Sequence, residues 1–217
     1  DDWSTNFGDI GADGIAIEQG IAMYNWYQRL ITPKDSTPTQ YEYQKETTVV
    51  NDQDLEVIET PASLKKMEDV EENSENGGLV GVSNFAVTGH SLGGHLAMIM
   101  SRIAPNKVTS TLTYNAPRFD LNLSIFALTS DGFFDLLREK EGVGLSEISP
   151  SWQDVGGIIN TRIDGDEASL IGGLPGGGEQ LLLFSETTNT NFYTAHGINA
   201  ITDALAVYNL FAQIDNN

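Results

Sequence analysis

The sequence predicts an α/β domain built around a largely parallel sheet. From about residue 80 onward strand-like and helix-like stretches alternate, the pattern expected of βαβ units. Pro33, the Gly77-Gly78 pair and Pro105 fall where one such stretch ends. The chain has 217 residues, 40% of them hydrophobic, which suits one domain (1–217) with a single core.

From Ala16, the positions Gly20, Met23, Tyr27 and Leu30 follow helical spacing, and Pro33 closes the segment. Residues 39–59 alternate Tyr, Thr and Val with polar residues, as a short hairpin or surface edge strands would. Ser63 is placed to cap a helix over roughly 64–72, and the acidic run "EDVEENSE" reads as a solvated face leading to Gly77-Gly78. A strand is expected over about 80–88, a helix from Ser91 to about Ala104, and a strand over "KVTSTLTY". A long stretch follows Asn115, in which Ser130 can cap a short helix carrying Phe133, Phe134, Leu136 and Leu137. The strand "GIINTRI" at 157–163 comes next, then a glycine-rich loop "GGLPGGG". A last amphipathic helix starts near 198, with Ile198, Ile201, Leu205 and Tyr208 on one face.

Composition excludes several classes of function. There is no cysteine, so disulfides and thiolate metal sites are ruled out. With 31 acidic against 11 basic residues the formal net charge is −20, which opposes binding to nucleic acid or an anionic membrane. No apolar run approaches the roughly 20 residues that span a bilayer, so stable membrane insertion is not expected, though transient contact with a lipid interface is compatible. The first residues, "DDWSTNFGDI", lack the basic and apolar parts of a signal peptide. The glycine cluster lacks the regular aspartates of a calcium-binding repeat, and the scattered acids form no D-x-D-x-D-G loop, so no metal or organic cofactor is expected.

The informative stretch is "NFAVTGHSLGGHLAMIM", residues 84–100, where a serine stands between two glycines, after an apolar strand and before an apolar helix. A nucleophile on a sharp strand-to-helix turn is lifted above the sheet edge, and the residues two before and two after it are held small by the tightness of the turn. Gly89 and Gly93 meet that need around Ser91. The following helix aims backbone N–H groups and its positive dipole end at a developing oxyanion, with the Leu92 N–H as the first donor. A serine needs a base, and histidine, which titrates near neutrality, is the usual one. Of the three histidines, His90 is expected on the opposite side of the elbow from Ser91 and His95 one turn further into a buried helix. That leaves His196, in "FYTAHG" before the last helix, as the base. The acid should lie just beyond the strand at 157–163, where "RIDGDEASL" offers Asp164, Asp166 and Glu167.

At these residues the chain resembles a family. "VTGHSLGGHLAMIMSRIAP", followed after the next strand by "YNAPRF", is similar to the class 3 lipases of the α/β-hydrolase superfamily, especially the bacterial branch found in secreted, repeat-bearing lipases and phospholipases. "GDEASLIGGLP" resembles the family's acid segment, which carries the acid role to Asp166 with Asp164 as runner-up, and "TAHGINAITDALAVYNLF" resembles its histidine and last helix. The likeness covers roughly 80–213, with a weaker match at "DWSTNF", similar to the residues that follow the family's Arg-Gly-Thr oxyanion strand. That Arg-Gly-Thr is missing, so a further N-terminal segment supplying a strand and the second oxyanion donor is expected.

The resemblance implies an α/β-hydrolase fold and a secreted serine hydrolase acting on lipid acyl esters, as a triacylglycerol lipase or phospholipase A1. The insertion at 119–150 would then cover the site as a lid, or else its helix caps the core. The same residue types would also serve a non-lipid esterase, a thioesterase or a peptidase, and a degenerate, non-catalytic binding module of a larger surface protein is the contrasting class.

Overall fold

The computed structural model describes residues 15–45, 47–51, 56–119, 130–141, 147–164, 166, 178–184 and 196–215. Its centre is a sheet of four parallel strands in the order β5 (Phe85–His90), β6 (Val108–Tyr114), β7 (Ile158–Ile163) and β8 (Glu179–Leu183). Parallel neighbours need crossover connections, and the first of these is α2 (Leu92–Ile103), between β5 and β6. The β5–β6–β7 register sets Val87, Thr111 and Ile158 on one face, whereas Tyr114, Thr161 and Leu181 share the other.

Each face has its own apolar cluster. On the first, α1 (Ile17–Ile31), α2 and α3 (Ser130–Glu141) pack together with Phe85, Val87, Val108 and Ile158. On the second, α4 (Ile198–Asp215) lays Ile201 and Ala204 over Ile163, Leu183 and Tyr114. The chain is thus an α/β structure with helices on both sides of a parallel sheet. The fully buried Arg102 of α2 ties α3 to this core: its guanidinium lies 4.1 Å from the Phe134 ring centre and donates to Ser149 O, Pro150 O and Asp131 Oδ1. Phe133, Phe134 and Leu137 are buried, so this helix of the 119–150 insertion is a core element; residues 120–129 and 142–146 fall outside the description.

The region before β5 departs from expectation at one helix. Ser63–Lys66 is strand β4, pairing antiparallel with β1 (Tyr41–Gln44), while β2 (Thr47–Asn51) pairs with β3 (Glu56–Thr60). The two pairs are separate two-stranded sheets that share one register, Tyr41 facing Lys66 in the first and Thr47 facing Thr60 in the second. The helix expected over 64–72 is absent because Leu64 is the only buried residue of "SLKK", and a single anchor beside Tyr41 satisfies a strand but gives no helical stripe. The acidic run beyond it is irregular and mostly exposed. It is fastened to the end of α1 by Asn73, whose amide donates to Arg29 O and Thr32 O.

Two further boundaries moved. Residues 79–81 are a turn, and the strand that leads to Ser91 begins only at Phe85, whose N–H donates to Lys107 O. Of the apolar face expected for α4, Ile201 is buried, together with Ala204, whereas Ile198 and Leu205 are exposed; the side chain of Tyr208 lies outside the described residues. Strand β8 was not anticipated: "EQLLL" lacks alternation and follows the glycine-rich loop, of which 172–177 lie outside the described residues.

Candidate active site

The C-terminal ends of the strands are held in register beyond the strands themselves. Ser91 N donates to Tyr114 O at 2.9 Å, Asn115 N to Thr161 O at 2.8 Å and Asp164 N to Leu183 O at 2.8 Å. Ser91 links β5 directly to α2 and adopts φ 54°, ψ −129°. A non-glycine residue there costs on the order of 1–3 kcal/mol, and such backbone persists where the surroundings over-determine it. The surroundings do so here. A Cβ on Gly89 would stand 2.2 Å from Gly93 O, so strand and helix backbones touch across the turn. The second tight position is Gly94 rather than Gly93: a Cβ there would meet Ala116 Cβ at 2.6 Å and Gly89 O at 2.9 Å, whereas one on Gly93 meets nothing within 4 Å among the described residues. The expectation for Gly93 is corrected accordingly, because it is the close approach of the segment after β6 that demands the small residue.

That segment is itself fixed by a buried amide. Asn160 of β7 accepts from Thr113 Oγ1 at 3.0 Å and donates to Ala116 O at 3.1 Å, seating Ala116 against Gly94. His95, fully buried in α2, does similar work: the Ala16 N–H donates to its Nε2, and its Nδ1 lies 3.1 Å from Pro117 O. With Nε2 as acceptor, Nδ1–H is the donor and the ring is neutral. Burial pushes its pKa down to about 4, against the opposing pull of the Pro117 carbonyl.

Above the elbow the structure joins three side chains from distant parts of the chain. His196 Nε2 lies 2.7 Å from Ser91 Oγ, and His196 Nδ1 lies 3.0 Å from Asp166 Oδ1. The carboxylate of Asp166 is fully buried and the imidazole nearly so. Nδ1–H therefore donates to the carboxylate, which leaves Nε2 to accept the Ser91 hydroxyl proton. Asp164 does not reach this array; it is exposed, and Glu167 lies outside the described residues. The Leu92 N–H, at the start of α2, has no hydrogen-bond acceptor among the described residues. Residues 1–14, which include the "DWSTNF" stretch, are outside the description.

His196, and not His90, bonds the Ser91 hydroxyl; the His90 ring centre lies 5.4 Å from that of His196, and its Nε2–H donates to the His196 carbonyl at 2.7 Å. Asn115, buried with φ 48°, donates to the same carbonyl at 3.2 Å. Sequence reasoning missed Asn115. The signal was an Asn directly after a strand, the residue type other than glycine that most readily enters the left-handed region. Among the described residues no three acidic or histidine side chains cluster as metal ligands, and no helix is long and apolar enough to cross a membrane.

Serine, imidazole and carboxylate thus form one hydrogen-bonded relay, with the serine on the turn between a parallel strand and its helix. Comparison with family models, curated proteins and solved structures found no match to this chain.

Proposed function

We propose that this chain is a serine hydrolase of the α/β-hydrolase type that cleaves carboxylic esters through an acyl-enzyme. The observation that carries the reading is the unbroken relay Ser91 Oγ–His196–Asp166, at 2.7 and 3.0 Å, with the serine in a strained elbow conformation at the head of a helix. Ser91 attacks the acyl carbonyl as His196 Nε2 takes its proton. The Leu92 N–H donates to the developing oxyanion, and Asp166 holds the imidazole tautomer and stabilises the imidazolium. His196 then protonates the departing alcohol, and water repeats the sequence on the acyl-enzyme to release the acid and restore Ser91. Lipid acyl esters are the proposed substrates, from the likeness of "VTGHSLGGHLAMIMSRIAP" and "TAHGINAITDALAVYNLF" to class 3 lipases. That likeness equally supports a secreted protein.

The test is labelling by a fluorophosphonate, with hydrolysis of p-nitrophenyl butyrate measured beside it. The wild-type chain should be labelled at Ser91 and turn over the ester, while a folded Ser91→Ala variant should do neither. A wild type that folds but resists the probe would leave a non-catalytic binding module as the better reading. Triacylglycerols, phospholipids, thioesters and peptides offered to the active protein then separate the substrate classes.

A further inference from the structure

The base of a triad must be held to a fraction of an ångström, yet His196 stands at the head of α4, remote in sequence from both of its partners. Two side chains hold its main chain from the sheet side: the Nε2–H of His90 and the amide of Asn115 both donate to the His196 carbonyl, at 2.7 and 3.2 Å. Each of them is tied to one triad partner. His90 is joined to Ser91 by a single peptide bond. Asn115 reaches the acid through β7: its N–H donates to Thr161 O, and its Oδ1 accepts from the Ile163 N–H at 3.0 Å. Asp166 N in turn donates to Ile163 O. The carbonyl of the base is therefore referenced to the nucleophile by one donor and to the acid by the other.

We propose that His90 and Asn115 are positioning residues that form a two-point clamp on the His196 main chain, keeping the base in register with Ser91 and Asp166. This deepens the hydrolase reading and rests on it for its kinetic consequences. The clamp requires His90 to donate from Nε2, which the neutral Nε2–H tautomer does without placing a second positive charge beside the reacting imidazole. The surroundings favour that form. Burial holds the His90 pKa below its usual value; the facing His196 ring adds to this, while the carbonyl bond and the Asp166 carboxylate act in the opposite direction. Tyr114 is the register partner of His90 on β6.

The experiment compares His90→Ala, His90→Gln and Asn115→Asp in the full chain. Glutamine carries an amide N–H to about the place of Nε2, so it preserves the donor without the ring. Asn115→Asp keeps the acceptor for Ile163 N–H and loses the donor. His90→Ala and Asn115→Asp should each lower kcat and the fluorophosphonate labelling rate on the order of 100-fold, with KM within about threefold. His90→Gln should recover kcat to within about tenfold of wild type, at an unchanged melting temperature. The Cε1–H resonance of His196 provides a readout independent of activity, moving in His90→Ala and returning in His90→Gln. Wild-type kcat in His90→Ala, or a His90→Gln variant as slow as His90→Ala, would overturn the clamp. If wild type itself were unlabelled, the hydrolase reading would fail and the resonance alone would decide: a shift in His90→Ala reversed in His90→Gln supports the clamp, and no shift refutes it.

Discussion

Acidification should destabilise this protein through His95, and the size of the effect follows from that residue's bonds. Its two ring nitrogens are committed, Nε2 accepting from Ala16 N–H and Nδ1–H donating to Pro117 O, within a fully buried site stacked on Phe119 at 4.1 Å. Protonation would place a second N–H against the Ala16 N–H and a charge in the core, which is why the folded pKa is held down at about 4. In the unfolded chain the imidazole titrates near ~6.5. Above that pH neither state binds the proton and His95 adds no pH dependence. Between about 6.5 and 4 the unfolded state binds it and the folded state does not, so stability falls with pH across that window and levels off below it. A separation of about 2.5 units corresponds to about 3 kcal/mol, a large share of a typical domain's 5–15 kcal/mol. Urea unfolding followed by circular dichroism at pH 7.5, 6.5, 5.5 and 4.5 would measure it, with His95→Asn as the non-titrating reference. Asn keeps a donor near Nδ1 and accepts some loss at pH 7.5. The wild-type curve should descend toward the variant's as pH falls. Parallel curves would refute the reasoning, since carboxylate titration and the changing net charge are common to both proteins.

Replacing Asp166 by Asn should lower turnover on the order of 10,000-fold through the wrong imidazole tautomer, whereas the exposed Asp164→Asn should stay within about threefold; matched steady-state kinetics decide. Gly94→Ala should cost about 1–3 kcal/mol in urea denaturation because Ala116 Cβ and Gly89 O stand in its way, while Gly93→Ala, which meets nothing within 4 Å among the described residues, should cost nothing and gain up to ~1 kcal/mol of helix propensity. Arg102→Leu should cost about 2–4 kcal/mol by stripping donors from Ser149 O and Pro150 O, but Asp131→Asn under ~1 kcal/mol because its carboxylate is 67% exposed, as thermal unfolding would show.

The parts legible in the sequence are those whose causes are local. Periodicity marks α1, α2, β6, α3 and β7, and "GHSLG" marks the elbow, because an apolar strand, a tight turn and an apolar helix are each specified by residues a few positions apart. Elimination among three histidines and the position of the last helix pointed to His196, the imidazole that the structure sets on Ser91, and its carboxylate partner was narrowed to a few neighbouring residues. The remainder depended on residues far apart in the chain. Whether Ser63–Lys66 is helix or strand turned on its pairing with Tyr41–Gln44, a long-range contact that outweighs a local capping preference. Asp166 rather than Asp164 meets His196 because Asp164 N is drawn into the ladder with Leu183, a partner no local pattern announces. The same holds for Asn115 and His90, whose types suit many roles. Only the convergence of β5, β6 and α4 at one sheet edge brings both donors onto the carbonyl of residue 196, because hydrogen bonds are satisfied by whatever the tertiary fold places within 3 Å, roughly, and sequence spacing does not encode that distance.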